Sequence, residues 1–260
     1  MKGAVELSIF QFSLIYLLLI VVLFVMKKSK INQSKLLLVA SIRMSVQLVI
    51  VGFILQFIIG NPNPFYTIIF IAFMLTYSIH TIFKNIGNLS YKFKVSIASA
   101  LSFAGLFVLI FFVTVIVGKS FFNPQYTIPL AGMIIGNAMT GINIGVKTFM
   151  DSVKKEKGKL NTLLNLGVEP KEILKPYVNN SLETALIPTL NSMIGMGIIF
   201  LPGMMTGQIL SGTLPTTAIM YQIAIMIAIC TSVCLSVFLS LNLGYKSFYN
   251  EKKQFDFEIN

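Results

Sequence analysis

The feature that most constrains this 260-residue chain is a series of seven apolar stretches separated by more polar segments, several of which carry lysine. A helix needs about 20 consecutive apolar residues to cross the hydrocarbon core of a bilayer. A soluble domain of this size could not bury so much apolar surface in one core. The sequence therefore predicts an all-α, polytopic integral membrane protein with seven crossings, at Ser8 to Met26, Leu36 to Ile59, Phe65 to Phe83, Val95 to Val117, Tyr126 to Val146, Ala185 to Leu201, and Thr217 to Leu241.

The positions of the basic residues predict the orientation of these crossings, because lysine and arginine accumulate on the cytoplasmic side. An outside amino terminus and an inside carboxyl terminus leave only Lys2 and Lys119 of the 20 basic residues outside. Lys27, Lys28 and Lys30 follow the first apolar stretch and Glu6 precedes it, which indicates an uncleaved helix and not a signal peptide. The basic residues on the cytoplasmic side are Lys27, Lys28, Lys30, Lys35, Arg43, Lys84, Lys92, Lys94, Lys147, Lys154, Lys155, Lys157, Lys159, Lys171, Lys175, Lys246, Lys252 and Lys253.

Composition argues against several functional classes. The net charge is +11, but the charged residues lie between apolar blocks and not on one face of a soluble module. Nucleic-acid binding is therefore not expected. The chain has one histidine, and Cys230 and Cys234 share one apolar stretch, so zinc-type ligand spacing is lacking. The segment Gly118 to Ser120 has no glycine at the spacing of a phosphate-binding loop. We therefore expect no catalytic residues, no metal site of this kind and no ATPase within the chain.

The longest polar segment, Lys147 to Thr184, lies on the predicted cytoplasmic side. A leucine stripe ending at Leu166 predicts a short amphipathic helix, and Gly167 predicts its end. Glu169 and Pro170 predict the start of a second helix, which Pro176 would bend or end. Two interpretations remain open at this point: a helix lying on the membrane surface, or a docking segment for a cytoplasmic partner.

Polar and small residues inside the predicted crossings indicate where a solute could pass. Arg43 and Gln47 lie one helical turn apart, although Arg43 could equally reach the cytoplasmic headgroups. The fifth crossing has small-residue pairs at Gly132 and Gly136 and at Gly141 and Gly145, which allow close helix packing. The sixth is interrupted by prolines, glycines and Asn191, as helices at transport sites often are. The candidates for the substrate pathway are Arg43, Gln47, Gly132, Gly136, Asn137, Met139, Pro188, Asn191, Met204 and Met205.

Three sequence blocks resemble the FetB family of ABC permeases: Ile128 to Met139 (IPLAGMIIGNAM), Ala185 to Thr189 (ALIPT) and Leu201 to Gly207 (LPGMMTG). The resemblance extends over nearly the whole chain. It implies one permease domain over residues 1–260, a bacterial cell (plasma) membrane and the export of iron with relief of peroxide stress. It also implies a permease homodimer that works with a separate cytoplasmic ATPase, on which ATP and magnesium would bind, so this chain itself would bind no cofactor.

The resemblance also implies that residues 147–184 form a coupling segment inserted into the ATPase, with Leu166, Gly167, Glu169 and Pro170 as the contact candidates. The substrate stays open, because plant relatives of the family are tied to aluminium tolerance and to nucleotide-sugar transport. The spans hold no cluster of carboxylates or imidazoles for a bare hard cation, which favours a chelate or another solute. An ATP-independent metal carrier and a membrane scaffold are the remaining alternatives.

Overall fold

The computed structural model describes residues 8–87, 89–249 and 255, and these form helices joined by short connections. In that part of the chain, extended pairing is limited to two isolated bridges, between Met196 and Phe200 and between Tyr249 and Phe255. The prediction of an all-α protein is confirmed. The α-helices are α1 (Ile9–Leu14), α2 (Leu17–Lys28), α3 (Ser34–Gly60), α4 (Pro64–Ile86), α5 (Tyr91–Phe111), α6 (Pro124–Lys155), α7 (Lys157–Asn165), α8 (Pro170–Gly195), α9 (Gly203–Leu210) and α10 (Pro215–Gly244).

Six segments of the described chain are helical, long and apolar enough to cross a membrane. They coincide with six of the seven predicted crossings, and the sixth predicted crossing is the exception because α8 does not meet these criteria. The chain is therefore a membrane protein with several apolar helices. The six segments are Phe10–Lys28, Ser34–Gly60, Pro64–Ile86, Tyr91–Ile116, Pro124–Lys155 and Pro215–Phe248.

The starts of α4 and α6 follow from the local sequence. The side chain of Asn63 accepts a hydrogen bond from the backbone N–H of Phe65, and Pro64 occupies the first turn of α4. Asn123 caps α6 in the same way, and Pro124 follows it. An asparagine cap satisfies a backbone donor that the helix leaves free, while proline has no N–H to leave unpaired.

In the region of the sixth predicted crossing, the helix has other bounds than predicted, and its prolines do not end it. The helix begins at Pro170 and not near Ala185, runs through Pro176 and Pro188, and ends at Gly195 before Leu201. Proline removes a helical hydrogen bond, but packing of neighbouring side chains can hold the helix together. Residues flanking Pro176 and Pro188 are buried against α6 and α10, namely Leu174, Val178, Ser181, Ala185 and Thr189. Of the two effects predicted for Pro176, a bend or an end of the helix, the end is wrong.

Two other predicted crossings have different bounds. The helix of the fifth crossing runs on to Lys155, well beyond the predicted end at Val146, so the first turns of the predicted cytoplasmic segment are a direct extension of α6. The first crossing is divided at Ile15 and Tyr16 into α1 and α2. Because α6 is one continuous rod of 32 residues, it connects the packed helices rigidly to α7.

The core lies where α5, α6 and α10 pack together, with α4 and α8 around them. Gly141 and Gly145 of α6 face Val233 and Val237 of α10, where an added Cβ would come within 2.6 and 2.7 Å of valine methyl groups. This pair therefore permits the close packing that the small-residue pattern predicted. At Gly136, by contrast, a Cβ would meet no atom of the described chain within 4 Å.

The first three helices lie at the edge of this core. Most of the described side chains of α1, α2 and α3 are exposed and several are half-buried, while Ile58 is the buried residue of α3. Two polar contacts connect them to their neighbours: Tyr16 hydrogen-bonds Ser45, and Arg43 hydrogen-bonds Tyr77. In a bilayer, lipid would cover these apolar faces, because hydrocarbon tails are as apolar as the side chains.

Candidate substrate pathway and coupling segment

A crevice of about 190 Å³ with several polar side chains in a mainly apolar lining lies between α6, α8 and α10. Asn137 and Thr140 line it from α6, Pro188 and Ser192 line it from α8, and Met226 lines it from α10. Gly141, also in the lining, has no side chain to fill the space. The crevice thus combines one amide, several hydroxyl groups and thioether sulfur, and every one of these groups is neutral.

Local hydrogen bonds orient the polar side chains of this crevice. The Asn137 side-chain amide donates to the carbonyl oxygen of Met133 at 2.8 Å. Thr140 and Ser192 donate their hydroxyl protons to the carbonyl oxygens four residues earlier, at 3.1 and 2.9 Å. These bonds use both hydroxyl protons and one of the two amide protons of Asn137, so the side chains have mainly oxygen lone pairs left to offer a ligand.

A second cavity of about 500 Å³ adjoins the crevice and shares Met196 and Met226 with it. Met193 and Met205 also line it, together with Gln222 of α10. The side chain of Gln222 is 8% exposed, and its Nε2 lies 3.7 Å from the sulfur of Met196. We call this the methionine cavity.

The methionine cavity exists because the chain leaves the helical path after α8. Gly197 has φ +79°, which an L side chain rarely adopts, and its N–H bonds the carbonyl oxygen of Phe200 at 3.0 Å. An added Cβ at Gly195 would lie 2.9 Å from the Phe200 ring. The turn therefore needs glycine at both positions. It brings Met196 and Pro202 over one side of α10.

The structure brings only some of the predicted pathway residues together. Asn137 and Pro188 line the crevice, and Met205 lines the methionine cavity. Met139 and Met204 instead pack against the apolar core, and Asn191 is exposed without lining either space. A Cβ at Gly132 would be in ordinary contact with Met74, at 3.5 Å, so packing does not require glycine there.

Arg43 and Gln47 lie apart from both cavities, on α3. The Arg43 guanidinium donates a hydrogen bond of 2.5 Å to the Tyr77 hydroxyl of α4, and its carbon atom is 5.8 Å from the centre of the Tyr77 ring. Gln47 is exposed. The tyrosine gives the arginine both a hydrogen-bond acceptor and an aromatic face, which reduces the cost of placing its charge within an apolar segment.

Sequence reasoning missed several lining residues, namely Thr140, Ser192, Met196, Gln222 and Met226. One signal was available for part of this set. Gln222 and Met226 are four residues apart in an otherwise apolar stretch, so they share a helix face with a polar and a polarizable group on it. Met196 had no such signal, because its position depends on the turn at Gly197.

The coupling candidates lie at the tip of a hairpin formed by α7 and α8. The N–H of Gly167 bonds the carbonyl oxygen of Leu164, and the N–H of Val168 bonds that of Leu163, at 2.9 and 3.1 Å. With φ +85° at Gly167, this is a Schellman C-cap. The predicted helix end at Gly167 is confirmed. Leu166 is 74% exposed beside it.

The base of this hairpin is held by polar and apolar contacts. Leu160 is fully buried, and Pro170 is buried in the first turn of α8, directly after Glu169. The Tyr177 hydroxyl donates to the Glu156 carboxylate at 2.6 Å, and Lys159 donates to the same carboxylate oxygen at 3.1 Å. The tip residues Leu166 and Gly167 are therefore presented on a supported base and not on a free loop.

The pKa values of Tyr177 and Glu156, which are hydrogen-bonded at this base, are shifted in opposite directions. Burial, and then the hydrogen bond to Glu156, raises the pKa of Tyr177 to about 12. The hydrogen bonds from Tyr177 and Lys159 lower the pKa of Glu156 from its ordinary value of 4.5. A lowered carboxylate pKa means that this contact is fully formed above the ordinary value and is lost as the pH falls through the lower one.

Metal ligands of the common kind do not cluster in residues 8–87 and 89–249, where no group of three or more His, Cys, Asp or Glu side chains comes together. The donors available in the two cavities are amide oxygen, hydroxyl and thioether. Such neutral donors suit a solute that carries its own ligands, or a soft cation, better than a bare hard cation.

The chain matches the model of a family described as "Uncharacterised protein family (UPF0014)" over residues 9–249. It is 30% identical over 242 residues to the probable iron export permease protein FetB of Escherichia coli K12, covering 93% of this chain and 92% of that protein. It is also 30% identical over 220 residues to the protein ALUMINUM SENSITIVE 3 of Arabidopsis thaliana, covering 84% and 78%. No solved structure matches the chain.

A further relative, the UPF0014 membrane protein slr1647 of Synechocystis, is 30% identical over 232 residues, covering 86% of this chain and 87% of that protein. These matches confirm the resemblance that the three sequence blocks indicated. They span the crevice, the methionine cavity and the hairpin together, and from residue 9 to residue 249 this chain belongs to the UPF0014 family of membrane proteins.

Proposed function

We propose that this chain is the permease subunit of an ATP-driven exporter of iron, or of another metal or metal chelate, and that a separate cytoplasmic ATPase drives it. The observation that carries the proposal is the 30% identity, over 93% of the chain, to a protein named a probable iron export permease. ATP and magnesium would bind to the ATPase and not to this chain. Export of metal would then contribute to metal homeostasis and oxidative-stress resistance.

The proposal includes a topology of seven crossings in the plasma membrane, with the amino terminus outside. The sixth crossing would be the part of α8 that follows its first turns, together with the turn that continues the chain to Leu201. The first turns of α8 would project into the cytoplasm with α7. The whole chain would be one permease domain that works as a homodimer.

The crevice between α6, α8 and α10 is the proposed pathway. It is the place where polar side chains of α6 and α8 meet a methionine of α10 among apolar residues, and polar groups inside a membrane protein mark solute paths. Asn137 and Ser192 would contact the cargo through oxygen lone pairs. Because the lining is neutral, a chelate or a partly coordinated ion fits it better than a naked divalent ion.

The hairpin of α7 and α8 is the proposed contact with the ATPase. Leu166 is an exposed apolar side chain at the tip of a supported hairpin on the predicted cytoplasmic side, and such a side chain suits an apolar groove on a partner. The α6 and α8 helices that carry the hairpin also line the crevice. Movement of the tip would therefore reach the pathway through two continuous helices.

Transport in inverted membrane vesicles tests the function. Vesicles that contain this chain and its ATPase should take up ⁵⁵Fe(II), kept reduced with ascorbate, when ATP is supplied. Uptake should fall to the level of vesicles without the chain when ATP is replaced by a non-hydrolysable analogue. Uptake that needs no nucleotide would instead identify an ATP-independent carrier, and no uptake of iron or any other metal probe would identify a scaffold.

Replacing Gly167 by valine should uncouple the two subunits. Valine at φ +85° costs about 1–2 kcal/mol, and this would shift the hairpin tip away from its present turn. A penalty of that size corresponds to a loss of roughly 5- to 30-fold in the population of the present tip. We expect permease-stimulated ATP hydrolysis to fall to a comparable extent, as measured by phosphate release in proteoliposomes.

Gly158→Ala is the matched control, because Gly158 lies within α7 of the same hairpin and a Cβ there meets nothing within 4 Å in the described structure. This variant should stimulate ATP hydrolysis as the unmodified chain does. The amount of Gly167→Val protein in the membrane should also be unchanged. Normal stimulation by Gly167→Val would contradict a coupling role and favour a hairpin that lies on the membrane surface.

A further inference from the structure

Gln222, which lines the methionine cavity, carries an unpaired polar atom. The Oε1 of Gln222 is buried and has no hydrogen-bond partner among the residues that the structure describes, although the Gln222 side chain is more than nine-tenths buried. Its Nε2 points to the sulfur of Met196. Buried acceptors without a partner are rare in folded proteins because water has been removed from them without compensation. An electropositive ligand in the cavity would supply what this oxygen lacks.

Four methionines line the cavity together with Gln222. Methionine commonly fills irregular gaps in a core, and three of the four, Met193, Met196 and Met226, do pack against the apolar core. Here Met193, Met196, Met205 and Met226 surround an open space of about 500 Å³. They come from α8, the turn after it, α9 and α10, so the fold collects them from separate parts of the chain.

The donor set selects a class of ligand. Thioether sulfur is a soft donor that binds Cu(I), whereas hard divalent ions take carboxylate and water oxygens. The residues lining the cavity, all within the described chain, include no charged side chain. A divalent ion would therefore lose its hydration without any compensating negative charge, and this cost grows steeply with ionic charge. A soft monovalent cation loses much less.

We propose that the four methionine sulfurs and the Gln222 carbonyl oxygen form a binding site for a soft monovalent cation of the Cu(I) class. The site adjoins the crevice through Met196 and Met226, which line both spaces. It does not depend on ATP-driven export, because binding is a property of this chain alone. An ion held there lies at the end of α8, beside the turn at Gly197 that shapes the cavity.

Binding to the purified full-length chain in detergent tests this site without the ATPase. Cys230 and Cys234 are free thiols one helical turn apart and would compete for Cu(I), so both are first replaced by serine. Cu(I) is then titrated in competition with bathocuproine disulfonate, and Ag(I) serves as a probe that air does not oxidise. We expect one ion per chain, with sulfur neighbours in the X-ray absorption spectrum.

Variants then locate the bound ion. Met196→Leu combined with Met226→Leu should weaken binding about tenfold or more, because it removes two sulfurs and keeps the apolar volume. Met220→Leu is the matched control, since Met220 is on the same helix, is 64% exposed and lies outside the cavity. It should bind as the parent does. Circular dichroism and size exclusion show that each variant is folded.

The variant Gln222→Leu tests the site in a second, independent way. It removes the unpaired acceptor, so the metal-free protein should unfold at a higher temperature than the parent, while added Ag(I) should stabilise it less. Unchanged affinity for Cu(I) in the Met196→Leu and Met226→Leu double variant would contradict the proposed site. So would equal stabilisation by Ag(I) of the parent and of both cavity variants.

Discussion

Replacing Gly244 by alanine is expected to lower the stability of the whole helical core. Gly244 ends α10, and a Cβ there would overlap the ring of Phe93 on α5. Phe93 is fully buried, and it meets Phe149 and Phe248 edge to face with centroid distances of 6.5 and 5.8 Å. Because Phe149 and Phe248 also contact each other at 5.2 Å, the Phe93 ring has no free direction in which to move.

The expected loss is about 1–3 kcal/mol, the usual cost of forcing extra atoms into a packed core. It would be measured as a lower unfolding midpoint, followed by circular dichroism at 222 nm in detergent. Gly52→Ala is the control, because Gly52 lies inside α3 and a Cβ there meets nothing within 4 Å in the described chain. This control should match or slightly exceed the parent. An unchanged midpoint for Gly244→Ala would mean that α5 and α10 lie further apart.

Replacing Gly141 by alanine should separate α6 from α10, and a second change should repair the damage. The new Cβ would lie 2.6 Å from Cγ1 of Val233 and 3.3 Å from Cγ2 of Val237. Val233 is 1% exposed, so its methyl groups have little room to withdraw. Val233→Ala removes the atom at 2.6 Å and leaves the Val233 Cβ at 3.7 Å, which is an ordinary contact.

A double-mutant cycle over these two positions measures the contact directly. Each single change should destabilise the protein, the first by overpacking and the second by loss of buried methyl groups. The double variant should be more stable than the sum of the two by about 0.5–3 kcal/mol, as is usual for residues in contact. Gly136→Ala on the same helix is the control and should cost little. Strict additivity would contradict the close packing of α6 on α10.

The crevice shows why the candidate site could be predicted only in part. Asn137 was recognisable because an amide within an apolar stretch stands out in the sequence itself. Its partners Ser192 and Met226 come from helices about 55 and 89 residues further along, and no pattern local to any one segment indicates that the three meet. Arg43 also stood out, but the structure places it with Tyr77, away from the crevice.

Prolines illustrate the same limit in the backbone. Pro176 and Pro188 both indicated a break, yet α8 passes through both and ends only at Gly195. Buried residues within one turn of each proline, such as Leu174, Val178 and Thr189, hold the helix together although each proline removes a hydrogen bond. The turn at Gly167, by contrast, was predictable, because a C-cap is formed by adjacent residues and by the freedom of one glycine.

The sequence by itself determined that this chain is helical and belongs in a membrane, where most of its apolar segments begin and end, and that a hairpin turns at Gly167. Each of these follows from neighbouring residues, through hydropathy, caps and turns. Only the tertiary structure decided that Gly141 and Gly145 pack on α10, that Gln222 and four methionines line one cavity, and that α8 continues through its prolines. Those outcomes depend on contacts between distant segments, whose energies appear only when the helices pack.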